Sequence, residues 1–167
     1  MVFRGFVADV VISTGGAVAG FVLNDFLPYQ LAVLSARTSR QFSQVYRARF
    51  GISVTQWRVL AHLGQAGGPL SVREIYMRVE MDKSKVSRAA TRLVTMGYVQ
   101  KAMNSADRRL VQLTLSASGR DLIRKLAPLA AAYEQRFLDG LGAQKDAFRA
   151  ALVTLLAQNS PDDETRR

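Results

Sequence analysis

The chain has 167 residues, 49% of them hydrophobic, with 23 Lys and Arg against 13 Asp and Glu and a formal charge of +10; the pI is near 10.7. That length supports one domain with a substantial core, or two small interlocked ones, and the charge favours a polyanion such as nucleic acid or an anionic membrane surface. Cysteine is absent, which excludes disulfides, thiolate nucleophiles and thiol redox sensing, and a lone His62 is too little for a zinc site. No metal and no cofactor are expected.

Residues 1–21 read as a leader, and the apolar run from Phe6 to Leu23 is interrupted by Asp9, Ser13, Thr14 and three glycines. It is a poor spanning helix by the criterion of about 20 apolar residues, and it lacks the cationic start and cleavage site of a signal peptide. Two readings stand: an extension outside the fold that comes from an upstream start, or an ordered arm at an oligomer interface. Further along, residues 26–50 hold Arg37, Arg40, Arg47 and Arg49 and no acid, while residues 159–167 are mixed in charge and read as a flexible tail.

From Asp25 onward the pattern is helical. Leu31, Leu34, Phe42, Val45 and Tyr46 recur at helical spacing over 27–50, and a second helix follows Thr55 as its cap, with Trp57, Leu60, Ala61 and Gly64 along one face. "GQAGGP" breaks it. Ser71 and Glu74 make a capping box that opens a short helix with Val72, Ile75, Tyr76 and Val79 on one side. After a tight connection Asp82 caps the next helix, so the pair reads as a helix-turn-helix.

That next helix lies in "MDKSKVSRAATRLVTMGYV", residues 81–99, where no acid follows Asp82. At about 100° per residue, Val86, Ala89, Ala90, Leu93 and Val94 gather on one side, and Ser84, Ser87, Arg88 and Thr91 on the other, flanked by Lys85, Arg92 and Thr95. Short hydroxyls permit close approach to a major groove, and arginine pairs bidentately with guanine. The plainer reading is a solvated face. Gly97 closes the helix, "YVQKAMN" and "LVQLTL" alternate as strands, and "SADRR" turns between them. A basic hairpin in this place is a wing, with Arg108 and Arg109 at its tip for a narrow minor groove and Asp107 orienting one of them.

These residues resemble the MarR (multiple antibiotic resistance regulator) family over about residues 22–158. The resemblance is carried by "LPYQLAVLSARTSRQF", "ISVTQWRVLAHL", "KSKVSRAATRLVTMGYV" and "SADRRLVQLTLSASGRDL". It implies a mainly α fold with a small β wing, a winged helix-turn-helix at 51–115 flanked by long dimerisation helices at 22–50 and 116–158. It also implies an obligate homodimer that binds double-stranded DNA at a palindromic operator, acts as a repressor in the cytoplasm without a membrane partner, and is released by a small effector such as an aromatic carboxylate or an acyl-CoA thioester. Base reading falls to Ser84, Ser87, Arg88 and Thr91, phosphate contact to Lys85 and Arg92, and minor-groove contact to Arg108 and Arg109. Peroxide-sensing members carry an early cysteine that this chain lacks.

Independent of the resemblance, Ser116 caps a long helix bearing Leu122, Leu126, Leu129, Tyr133 and Phe137, and Phe148, Leu152, Leu155 and Leu156 follow. No predicted sheet is large enough to cover these faces, so a second copy would. Pro128 should bend or split the helix, either to suit dimer packing or as a signalling hinge. Effector contacts are sought at Ser35, Ser39, Arg40, Trp57 and His62, although Trp57 also reads as core and His62 as an interface or surface histidine. An enzyme would need paired carboxylates, a Ser–His pair or a phosphate-cradling glycine run, and none is found; "STGG" at 13–16 is too short and poorly placed. The competing class is a helical dimer that docks on a membrane surface or a protein without reading DNA sequence.

Overall fold

Six helices and one small sheet make up the computed structural model, which describes residues 21–79, 81–103 and 111–159. The readings of residues 1–20, of the wing tip with Asp107, Arg108 and Arg109, and of 160–167 fall outside the described residues. Helix α1 (Leu27–Phe50) is followed by α2 (Val54–Gln65), strand β1 (Leu70–Ser71), α3 (Val72–Val79), α4 (Lys83–Thr95), strands β2 (Val99–Met103) and β3 (Val111–Leu115), α5 (Ala117–Asp139) and α6 (Lys145–Gln158).

The chain divides into two compact units within α1, residues 1–39 and 40–167. In the first, a 3-10 turn at Leu23–Asp25 leads into the helix, Gln30 Nε2 donates to the Asn24 carbonyl at 2.7 Å, and Phe21 meets Phe26 edge-on at 5.6 Å. Leu27, Leu31 and Leu34 are exposed there.

In the second unit, α2 opens two residues earlier than Thr55 suggests. Ser53 is the cap: its Oγ accepts from the Gln56 amide at 3.2 Å, and Gln56 Oε1 accepts from the Ser53 amide at 2.7 Å. A Ser-x-x-Gln box satisfies two helix-end donors at once, so Thr55 lies inside the first turn. The Ser71–Glu74 box forms as expected, and its hydrogen bonds from the Ser71 backbone and side chain hold the Glu74 carboxyl below its ordinary value.

The core is a single cluster that joins α2, α3 and α4 to the sheet and to the first half of α5. Ile52, Val59, Leu60, Ile75, Val86, Leu93, Leu113 and Leu126 are sealed from solvent. Behind α2, Phe42, Tyr46 and Trp57 pack edge-to-face or tilted with centroids 5.1–5.9 Å apart, favoured aromatic geometries. Burial pushes the Tyr46 phenol up to about 12, against the opposing pull of Arg58.

The sheet is antiparallel with β3 in the middle, in the order β1-β3-β2. Val99 pairs with Leu115 and Met103 with Val111, which builds the wing hairpin, while Leu70 pairs with Leu113 and adds an edge strand that the sequence pattern had not indicated. Gly97 takes φ 77° at the end of α4, and the Gly97 and Tyr98 amides donate to the Val94 and Leu93 carbonyls at 2.9 and 3.0 Å, a left-handed closure suited to glycine. Helix α5 starts at Ser116 and runs through Pro128 without splitting. Pro128 is exposed, so the Arg124 carbonyl that loses its helical partner can turn to water.

Candidate nucleic-acid interface

Helix α4 sits against α2 and α3 through Val86, Ala89, Ala90 and Leu93, all buried. The opposite face, Lys83, Ser84, Lys85, Ser87, Arg88, Thr91, Arg92 and Thr95, is exposed throughout. The apolar positions that the sequence placed inward are inward, with Val94 half-buried at the margin. Among the described residues, no carboxylate forms a salt bridge with Lys83, Lys85, Arg88 or Arg92, although Lys85 is near enough to Asp82 for its charge to act there. Their charge is therefore directed to whatever lies in front of the helix.

The start of the helix is fixed by Asp82, whose Oδ1 accepts from the Ser84 amide at 2.9 Å and the Lys85 amide at 3.1 Å. The Ser84 hydroxyl also donates to this oxygen, leaving Ser84 an acceptor toward an outside partner. These bonds, the Ser84 hydroxyl first and the Lys85 amide next, hold the Asp82 carboxyl below its ordinary value. A depressed carboxylate contributes stability that is present above its unfolded value, near pH 4, and lost as pH falls through the folded one. Asp82→Asn caps without titrating. It is expected to gain in thermal midpoint relative to wild type as pH is lowered from about 7 to about 3, in a comparison of the two melting series.

Other basic groups act on one another across α2 and α3. Arg58 and His62 lie one turn apart on α2, and Arg78 is in the last turn of α3. Burial first, then Arg78 and Arg58, lowers the His62 pKa, so His62 is neutral near pH 7. The Met103–Val111 pair at the outer end of the hairpin is exposed, 69% and 43%.

Ser35 is exposed and Ser39 half-buried on the first half of α1; Arg40 is exposed; His62 is half-buried at the end of α2. Trp57 belongs to the aromatic cluster with Phe42 and Tyr46. A cleft of about 340 Å³ lies between the second half of α1 and α5, lined by Gln41, Val45, Tyr133, Arg136 and Phe137. Tyr133 donates its hydroxyl to Gln41 Oε1 at 3.1 Å, and its ring lies 5.2 Å from Phe42. Helical spacing had marked Tyr133 and Phe137 only as part of an apolar face; the signal available was Arg136 between them.

Among the described residues, no three His, Cys, Asp or Glu are grouped to hold a metal, and no helix is long and apolar enough to cross a membrane.

A helix with a basic, hydroxyl-rich outer face, held by two helices behind it and followed by a β hairpin, defines a winged helix-turn-helix DNA-binding protein. A model of the MarR family matches residues 50–110. The transcriptional repressor MdtR of Bacillus subtilis is 31% identical over 114 residues, 68% of this chain and 73% of that one. The exopolysaccharide II synthesis transcriptional activator ExpG of Rhizobium meliloti is 30% identical over 118 residues, 67% of this chain and 60% of that one. Bordetella bronchiseptica BpsR, whose DNA binding is regulated by 6-hydroxynicotinic acid, superposes with a TM-score of 0.72 at 25% identity, over 84% of this chain and 97% of that chain. The chain belongs to the MarR family. It is a DNA-binding transcriptional regulator and not an enzyme.

Proposed function

We propose that the protein is a homodimeric repressor in the cytoplasm that binds a palindromic operator and leaves it when a small aromatic or anionic effector binds. The observation that carries the reading is the exposed cationic face of α4, presented on a sealed core. Residues 51–115 are the DNA-binding region. Ser84, Ser87, Arg88 and Thr91 read base edges, Lys85 and Arg92 hold phosphates, and Arg108 and Arg109, with Asp107 to orient one of them, enter the minor groove. Residues 22–50 and 116–158 are the dimerisation region, a role that suits the exposed Leu27, Leu31 and Leu34 and the exposed Leu152, Val153, Leu155 and Leu156. Sedimentation is expected to give twice the 18.4 kDa chain mass, and the two recognition helices then address half-sites about one helical turn apart.

Repression is favoured by the similarity to MdtR, although the sign depends on where the operator lies. The effector is assigned to the Gln41–Tyr133–Arg136 cleft, where two aromatic rings and a guanidinium suit a flat aromatic carboxylate. With 6-hydroxynicotinic acid as the probe, DNA release measured by fluorescence anisotropy is expected in wild type. Arg136→Gln should raise the concentration for half release by at least about tenfold, the effect of removing a charge-assisted hydrogen bond. Release unchanged by Arg136→Gln would move the effector site elsewhere.

A further inference from the structure

Three helix ends meet behind the recognition helix, at Met96, Gly97 and Tyr98. From α5, the Ser116 and Ser118 hydroxyls both reach the Gly97 carbonyl, at 2.6 and 2.7 Å, and lie 2.9 Å from each other. Ser116 Oγ accepts from the Gly119 amide at 3.0 Å, and the Ser116 amide donates to the Tyr98 carbonyl at 3.0 Å. Arg120 Nη1 donates to the Leu115 carbonyl at 2.8 Å, tying the same turn to the end of β3. From α2, Gln56 Nε2 donates to Met96 Sδ at 3.8 Å. Gly119 permits this closure: a Cβ there would stand 2.0 Å from the Tyr98 carbonyl oxygen and 3.0 Å from its carbon.

Such a density of contacts is more than helix capping requires. Ser116 caps α5 through the Gly119 amide, whereas the bond from Ser118 goes to the Gly97 carbonyl at the close of α4. Gln56 and Ser116 are the buried polar residues of the described chain, and both act at this joint. We infer that Ser118, with Ser116 and Gly119, forms a set of positioning residues that fix the tilt of α4 for DNA reading without touching DNA. The lever is long. From Gly97 to Ser84 the helix spans about 20 Å at 1.5 Å per residue, so a tilt of about 10° at Gly97 moves Ser84 by about 3 Å. A displacement of that size is a whole hydrogen-bond length and takes the reading face out of register.

The inference rests on the proposed reading of α4 as the DNA-reading helix, and the test separates the two. Affinity for a DNA site selected by the wild type is measured for wild type, Ser118→Ala, Ser118→Thr, Arg88→Ala and the Ser118→Ala, Arg88→Ala double variant, beside their thermal midpoints. Ser118 is exposed, so the alanine variant is expected to fold with nearly the wild-type midpoint. Ser118→Ala should bind about five- to tenfold more weakly, Ser118→Thr should restore binding, and the loss should shrink in the Arg88→Ala background because both act through one helix face. Wild-type affinity in Ser118→Ala, a loss not restored by threonine, or full additivity with Arg88→Ala overturns the positioning role. Should Arg88→Ala bind like wild type, the reading of α4 falls, and the inference with it.

Discussion

Arg88→Ala is expected to weaken operator binding by between about 30-fold and 10⁴-fold and to relax selection at one base pair in each half-site. A bidentate contact discriminates by about 1–3 kcal/mol, and a dimer makes it twice. The residue is well placed for this: it lies mid-helix on the exposed face of α4, with the buried Ala89 and Ala90 beside it and no carboxylate partner among the described residues. Lys85→Ala gives the contrasting pattern. It should weaken all sequences alike and reduce the slope of log affinity against log salt by about 2 for the dimer, about 0.9 per lost phosphate contact. Anisotropy titrations at four or five salt concentrations separate the two. An equal salt slope for Lys85→Ala and wild type would remove Lys85 from the phosphate set.

Gly119→Ala should be the most disruptive glycine-to-alanine change among the described residues. The added Cβ meets the Tyr98 carbonyl at 2.0 Å, and the obstacle is backbone, held by the Val99–Leu115 strand pair and the Ser116 amide. No rotamer change relieves it, so α5 must lift off or the wing must shift. The expected cost is about 3 kcal/mol or more, at or beyond the upper end of overpacking penalties, and a fall in thermal midpoint of about 6–12 °C. Gly68→Ala is the control, because a Cβ there meets nothing; it should melt with the wild type in the same scan. Equal midpoints for Gly119→Ala and wild type would show that the α5 turn is looser than its hydrogen bonds imply.

Much of this was legible in the sequence because it is written locally. The alternation of Val86, Ala89, Ala90 and Leu93 with hydroxyls and cations sorted the two faces of α4, and Asp82, Ser71 with Glu74, Ser116 and Gly97 announced their helix ends through side chains and backbone within one turn. Where two local signals compete, sequence reading slips: Ser53 and Thr55 are both acceptable caps, and only the return bond from Gln56 selects the first. What depends on distant partners was not legible. Leu70–Ser71 is too short to alternate and is a strand only because Leu113 and Gln112 lie alongside. The cleft of Tyr133 and Arg136 exists only because α1 brings Gln41 to it. The third grip on the recognition helix, Gln56 to Met96, joins residues whose spacing carries no pattern at all.

The measurement that bears most directly on the account is selection of DNA from a random pool by the purified protein, run beside Arg88→Ala. Enrichment of an approximate palindrome by the wild type, with selection relaxed at one symmetric position by the variant, is the predicted result. No enrichment at low salt, or the same sequences enriched by both proteins, would contradict it and leave the polar face of α4 a solvated surface.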